Sequence, residues 1–235
     1  MFFNNQYILT YILTFLSYLM MAQDSIPPIE SDDHYREDQF YMGVTYNLIS
    51  SAPSGVKLNG VSGGIQLGFL RDMPINEKRN IAVALGVGLT LDQFGHNLFI
   101  NENVDGQTTF SVLDSDVDYD RNRFSFATVE VPFEFRWRSS TRSTFKFWRV
   151  YTGIRIGYSF WNNANFKQSE LKISKSSINE FESLRLGATL SFGYSTFNFF
   201  AYYSLNPFFN NDAITTGGQK IEMKALKIGI IFYIL

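Results

Sequence analysis

The chain has 235 residues, no cysteine and a formal net charge of −2. The missing cysteines exclude a disulfide framework, a thiolate metal site, a cysteine nucleophile and a lipidated N-terminal cysteine. The near-neutral charge offers no basic surplus for nucleic acid, which is therefore not an expected partner.

Tyr7–Ala22 is the longest apolar run and carries no charge. It is short for a membrane-spanning helix, which takes about 20 residues, and it ends in Met20-Met21-Ala22-Gln23. Residues 1–22 therefore read as a secretory signal peptide, although Met1–Gln6 lacks the usual Lys or Arg. Gln23–Gln39 has Pro27, Pro28 and an acidic surplus. It reads as a polar periplasmic leader, and residues 40–235 as one outer-membrane β-barrel.

Eight segments alternate between apolar and small or polar residues, the period of a strand. They are Tyr41–Ser50, Val61–Leu70, Ile81–Asp92, Phe124–Arg138, Trp148–Phe160, Glu182–Tyr194, Phe197–Asn206 and Lys220–Leu235. The fourth is the clearest. Val129, Val131, Phe133, Phe135 and Trp137 point one way, and Glu130, Pro132, Glu134, Arg136 and Arg138 the other. No helical period of comparable length competes. Aromatics make up 17% of the chain, enough for a ring of them at each membrane interface.

The connections sort by parity. The odd connections, Ser51–Gly60, Gln93–Arg123, Trp161–Phe181 and Pro207–Gln219, run from 10 to 31 residues, whereas the even ones, Arg71–Asn80, Ser139–Phe147 and Ser195-Thr196, have 10 or fewer. Outer-membrane barrels have this asymmetry, with short periplasmic turns and longer extracellular loops. The expected architecture is an eight-stranded, antiparallel, up-and-down transmembrane barrel with both termini in the periplasm. A closed ring is required, because unpaired backbone groups at lipid depth cost several kcal/mol each.

Eight strands leave an interior just filled by side chains. The expected inward charges are Glu130, Glu134, Arg136, Arg149, Arg155, Arg185 and Lys227, a network that rigidifies the lumen by mutual pairing. Two further constellations carry candidate chemistry. His96, with Ser111 or Asp114, is the candidate hydrolase site at the lipid headgroups, but the spacing forms no motif; His34 lies in the leader. Asp114, Asp116, Asp118 and Asp120 alternate, so an extended segment would show four carboxylates on one face to Ca²⁺ or Mg²⁺. They lack the glycine and the acidic twelfth residue of a helix–loop–helix calcium site. The simpler reading is an acidic outer loop, with no metal or cofactor in the protein.

The chain end Lys227–Leu235 resembles the terminal-strand signal read by the barrel assembly machinery, with Gly229 and Phe232 in the signal positions. Ile234 and Leu235 stand where a final aromatic is usual.

One family resemblance rests on the middle of the chain. Asp38-Gln39-Phe40-Tyr41-Met42-Gly43 leads into the first strand. Thr128–Arg138 carries a Val-Pro-Phe element and a basic end, and Arg149–Tyr158 carries Tyr151-Thr152-Gly153. This order resembles the PorT-like outer-membrane barrels of the Bacteroidetes. The resemblance implies a non-enzymatic barrel associated with type IX protein secretion and, in some species, gliding motility. It implies no catalytic residue. Expected partners are membrane lipid and lipopolysaccharide, the barrel assembly machinery and proteins of the secretion translocon, the last through the basic turn Arg138–Lys146. A stand-alone structural or adhesion barrel acting through its loops is the alternative, and a lipid A-modifying enzyme is a third.

Overall fold

The computed structural model describes residues 38–114, 116–139 and 147–234. The expected signal peptide, the expected leader as far as residue 37, residues 140–146 of the basic turn and Leu235 lie outside the described residues.

Among the described residues eleven strands form in chain order: β1 (Gln39–Ser50), β2 (Gly63–Pro74), β3 (Ile81–Gly95), β4 (Leu98–Glu102), β5 (Thr108–Val112), β6 (Arg121–Arg138), β7 (Trp148–Gln168), β8 (Leu171–Ser176), β9 (Leu184–Tyr194), β10 (Phe197–Ser204) and β11 (Lys224–Ile234). Eight of them make the barrel, each antiparallel to its neighbours, in the order β6-β3-β2-β1-β11-β10-β9-β7. Pairing of β6 with β7 closes the ring, so the barrel has no open edge to leave backbone groups unpaired. The other three strands belong to the long connections. β4 and β5 form a separate hairpin, and β8 pairs with the end of β7 beyond the ring.

Alternation places the apolar side chains outward. Val129, Val131, Phe133, Phe135 and Trp137 are all exposed, and Glu130, Glu134, Arg136 and Arg138 are all buried. The exposed band ends in aromatics at both edges. At the short-turn end Phe40 packs on Phe69, Trp148 on Tyr194 and Phe197 on Phe232, with ring centroids 5.2–5.5 Å apart. At the long-loop end stand Tyr46, Tyr158, Phe160, Trp161 and Tyr203. This inverts the soluble pattern and fits a hydrocarbon belt between two interfaces.

Four strands run at least three residues further than their alternation predicted; β3 continues to Gly95. β2 continues to Pro74, so Asp72 lies inside the barrel and not in the turn that Arg71–Asn80 was expected to form. β6 begins at Arg121. β7 continues to Gln168, past a register shift at Ala127/Thr128. There Ala127 opposes Trp161 and Thr128 opposes Ser159, leaving Phe160 without a partner. This bulge turns Phe160 and Trp161 both outward, and the exchange of faces hides the rest of the strand from a period-two reading.

Pro132 sits inside β6 and faces the lumen. Proline has no N–H for the ladder. The pairing of β3 with β6 runs from Ile81–Trp137 to Leu85–Phe133 and resumes only at Gly88–Glu130. The sheet therefore gives way on the β3 side of Pro132, while on the other side Pro132 stays in register with Arg155.

Candidate functional site: a filled lumen and a cleft at the loop end

The lumen is built in three polar layers. At the short-turn end Asp72 accepts from Arg136 at 3.1 Å and from Arg138 at 2.9 Å, one oxygen for each. Arg136 also donates to Glu134 at 3.1 Å and lies over the Tyr151 ring at 4.6 Å. In the middle Arg155 pairs with Glu130 and donates to Gln66 at 2.6 Å. Above them Lys227 pairs with Asp92, which also accepts from Asn47 at 3.0 Å.

All seven charges expected inside the barrel are buried, and most of them touch. Two donate to uncharged oxygens. Arg149 donates to the Ser195 carbonyl, and Arg185 to the Pro207 carbonyl and the Ser204 hydroxyl. Asp72 and Asp92 supply the anions that the expected set lacked. The alternation of Gln66, Leu70 and Asp72 signalled Asp72, but its place next to a supposed turn concealed it.

Above the charges the long connections fold into the barrel mouth. Phe94, Phe124, Phe126, Phe181, Phe208 and Phe209 are buried together, with edge-to-face and tilted contacts among them. Arg185 lies over the faces of Phe208 and Phe126, at 5.2 and 5.7 Å, so a cation joins the apolar cap to the polar layers beneath it. Two voids beside Glu130 and Arg155 measure about 10 Å³ each, room for one water molecule.

His96 is buried under this cap beside Asn122, whose side chain donates to the His96 carbonyl at 2.9 Å. Burial lowers its imidazole from 6.5 to about 4, opposed only in part by the carbonyls of Leu98 and of His96 itself. Ser111 lies on β5 and Asp114 is exposed; neither hydrogen-bonds to the imidazole. A base closed off from solvent, with no nucleophile in contact, is not arranged for hydrolysis.

The aspartate run bends where an extended segment was expected. The Val117 amide donates to the Asp114 carbonyl at 3.2 Å, closing a turn. Asp114, Asp116, Asp118 and Asp120 are all exposed. Asp120 pairs with Lys167 at 3.0 Å, and that ammonium holds its carboxyl below the usual range. Among the described residues no group of three or more His, Asp or Glu side chains is placed to hold a metal ion.

Gly229 and Phe232 both lie on β11. Gly229 faces the lumen between β1 and β10, where a Cβ would meet the Val44 carbonyl at 2.0 Å. Phe232 faces outward against Phe197.

A cleft of about 510 Å³ opens beside β6 at the loop end, lined by Asn59, Gln93, Tyr119, Asp120, Arg121 and Arg123 among others. Arg123 donates to Gln93 at 3.0 Å and Asn59 to the Tyr119 hydroxyl at 2.7 Å.

Residues 21–210 match the family model described as "Outer membrane protein beta-barrel domain". This chain belongs to that family. Its place is the outer membrane, and the exposed apolar belt fits a lipid bilayer. Two solved structures of Ail, the attachment invasion locus protein of Yersinia pestis, are similar to the barrel. One, in complex with the heparin analogue sucrose octasulfate, is 18% identical with a TM-score of 0.39; the other is 16% identical with a TM-score of 0.40. Each comparison covers 86% of this chain and 100% of Ail. No curated protein sequence matches the chain.

Proposed function

We propose that this barrel is a non-enzymatic, non-conducting outer-membrane scaffold that works through its two ends, as an accessory part of a protein-secretion assembly of the type IX class. The observation that carries the reading is the filled lumen. Three layers of paired charge and a phenylalanine cap leave no path for a solute, so any task falls to the end surfaces. The likeness of Thr128–Arg138 and Arg149–Tyr158 to PorT-like barrels supplies the secretion role. The parity of connection lengths supports an orientation with the long loops outside and both termini in the periplasm. In that orientation the turn from Arg138 to Lys146 offers a basic contact to periplasmic components of the translocon, and β11 is the strand offered to the barrel assembly machinery.

The test is isolation from gently solubilised native membranes through an affinity tag placed in the leader after Ala22. Co-recovery of outer-membrane secretion components is the expected result, and recovery of the barrel alone removes the secretion role. Planar-bilayer recording tests the other half: the purified barrel shows no unitary conductance, and stable ohmic steps would overturn a closed lumen.

A second reading, adhesion through the loops, is favoured by the β4–β5 hairpin, whose tip residue Val104 is fully exposed. Deleting residues 103–107 abolishes surface attachment on that reading and leaves secretion intact.

A further inference from the structure

The strand register lines up three cations outside the barrel. Arg121 on β6 stands directly opposite Lys167 on β7, and Lys167 directly opposite Lys172 on β8. Residues in register share a face with Cβ atoms about 5 Å apart, so the charges form one row across three strands. Arg123 is two residues down β6 on the same face.

Like charges directly opposite each other destabilise a sheet. Asp120 offsets Lys167, but among the described residues no carboxylate is paired with Arg121, Arg123 or Lys172. Partial burial and the neighbouring Arg121 hold the Arg123 guanidinium below its ordinary value. With Asp120 as its one paired carboxylate, a row of Arg121, Arg123, Lys167 and Lys172 keeps a positive surplus that an anion from outside relieves.

The height of the row limits what that anion is. Trp161, opposite Ala127, is the last exposed ring of β7. Arg123 lies four residues beyond Ala127, about 13 Å along the strand at ~3.3 Å per residue. With a strand tilt of about 40° that is ~10 Å above the aromatic edge, at the level of lipid headgroups and the sugars attached to them. The adjoining 510 Å³ cleft adds the Asn59 and Gln93 amides, the Tyr119 ring and the Asp120 carboxylate, itself paired with Lys167, to Arg121 and Arg123. It is too large for a bare phosphate, and its amides and aromatic face suit a sugar.

We propose that this cleft and cation row bind the phosphorylated sugar headgroup of the outer-leaflet glycolipid. The proposal rests on the reading that the long loops face outward. Bound headgroups would ring the barrel with immobilised lipid on its β3–β6–β7–β8 side.

The test uses the full processed chain in detergent micelles. The probes are bis-phosphorylated lipid A, the same lipid A after phosphatase treatment, inorganic phosphate, and a soluble sulfated polysaccharide. Tight, salt-sensitive binding of phosphorylated lipid A is expected, with at least tenfold weaker binding of the dephosphorylated lipid. The variant Arg121→Gln/Arg123→Gln/Lys172→Gln loses at least tenfold in affinity, and Lys78→Gln at the opposite end loses none. Heat-modifiable gel migration verifies that each variant is folded. If Arg121→Gln/Arg123→Gln/Lys172→Gln does not fold, Arg121→Gln/Lys172→Gln takes its place, with an expected loss of several-fold. Equal affinity for both lipid A forms, unchanged affinity of the folded variant, or preference for free phosphate or the polysaccharide overturns the proposal. Orientation is read separately, by labelling a tag inserted beside Val104 in intact cells. Absence of labelling overturns the outward loops, and with them an outer-leaflet ligand, even where binding in detergent persists.

Discussion

Asp72 and Arg136 meet at 3.1 Å in the lumen although β3 separates the strands that carry them. Their contact ties β2 to β6 through the interior, at a level where the β3–β6 ladder is intact, with Ala82 opposite Arg136 and Ala84 opposite Glu134.

Replacing Asp72 with Ala takes from the buried Arg136 and Arg138 the carboxylate they share, while Glu134 stays on Arg136. Breaking a buried pair by removing one partner costs about 3–5 kcal/mol. Asp72→Ala is expected to lower the unfolding free energy of the refolded barrel, read from urea titration, by an amount in that range, and Asp72→Asn by less, since the amide oxygen still accepts one bond. An unfolding free energy within about 0.5 kcal/mol of the parent, the scatter of ordinary surface substitutions, would show that the lumen pairs are not structural.

Depth along β6 sets the cost of charge on the lipid face. Phe133 is central in the exposed band and Trp137 is at its edge. Phe133→Lys is expected to destabilise by about 2–4 kcal/mol and Trp137→Lys by about 0–1 kcal/mol. The comparison is made by folding into vesicles from urea. Equal costs at the two positions would contradict a membrane belt centred on Phe133.

Stability falls with pH through His96. Its imidazole binds a proton near 6.5 when unfolded and only near 4 when folded, so below 6.5 the unfolded chain takes up more protons. The barrel therefore holds its full stability above pH 6.5 and loses it as pH drops toward 4, by about 3 kcal/mol in total. His96→Gln flattens this stretch of the curve. An unfolding midpoint in the parent that is constant from pH 7 to pH 4 would rule the effect out.

Phe232 and Gly229 separate two roles on β11. Phe232→Ala removes a lipid-facing ring contact worth about 0.5–1.5 kcal/mol beyond its area, and the purified chain still refolds. If Phe232 also serves assembly, cells carrying the variant accumulate unassembled barrel out of proportion to that loss. Gly229→Val meets the β1 backbone, and its purified form refolds poorly. Comparable refolding of both variants in vitro would remove the packing role of Gly229.

Much of the barrel was legible because a lipid-facing strand writes its orientation into every second residue. Val129–Arg138 shows this most openly, and the inward charges followed from the same parity. Partners across the lumen were not legible: Asp72 with Arg136 and Asp92 with Lys227 join strands that are not neighbours, and parity says nothing about who faces whom. The cap was hidden for another reason. Phe208 and Phe209 lie in a connection without periodicity, and their burial depends on the loops folding inward together. The aspartate run misled because its spacing assumed an extended backbone, which the Asp114–Val117 turn prevents.

The unpaired Phe160 has an effect beyond its own position. Below it, even-numbered residues of β7 meet the lipid; above it, odd-numbered ones meet the water. The added residue lets Phe160 and Trp161 both face outward, after which Phe166 turns inward against Phe99 and Tyr119 and Lys167 outward. Deleting Phe160 would leave Ser159 opposite Thr128 and Trp161 opposite Ala127 in one continuous ladder, with every later side chain on the face it now holds, so the bulge is a position where this strand can lose a residue without losing its register.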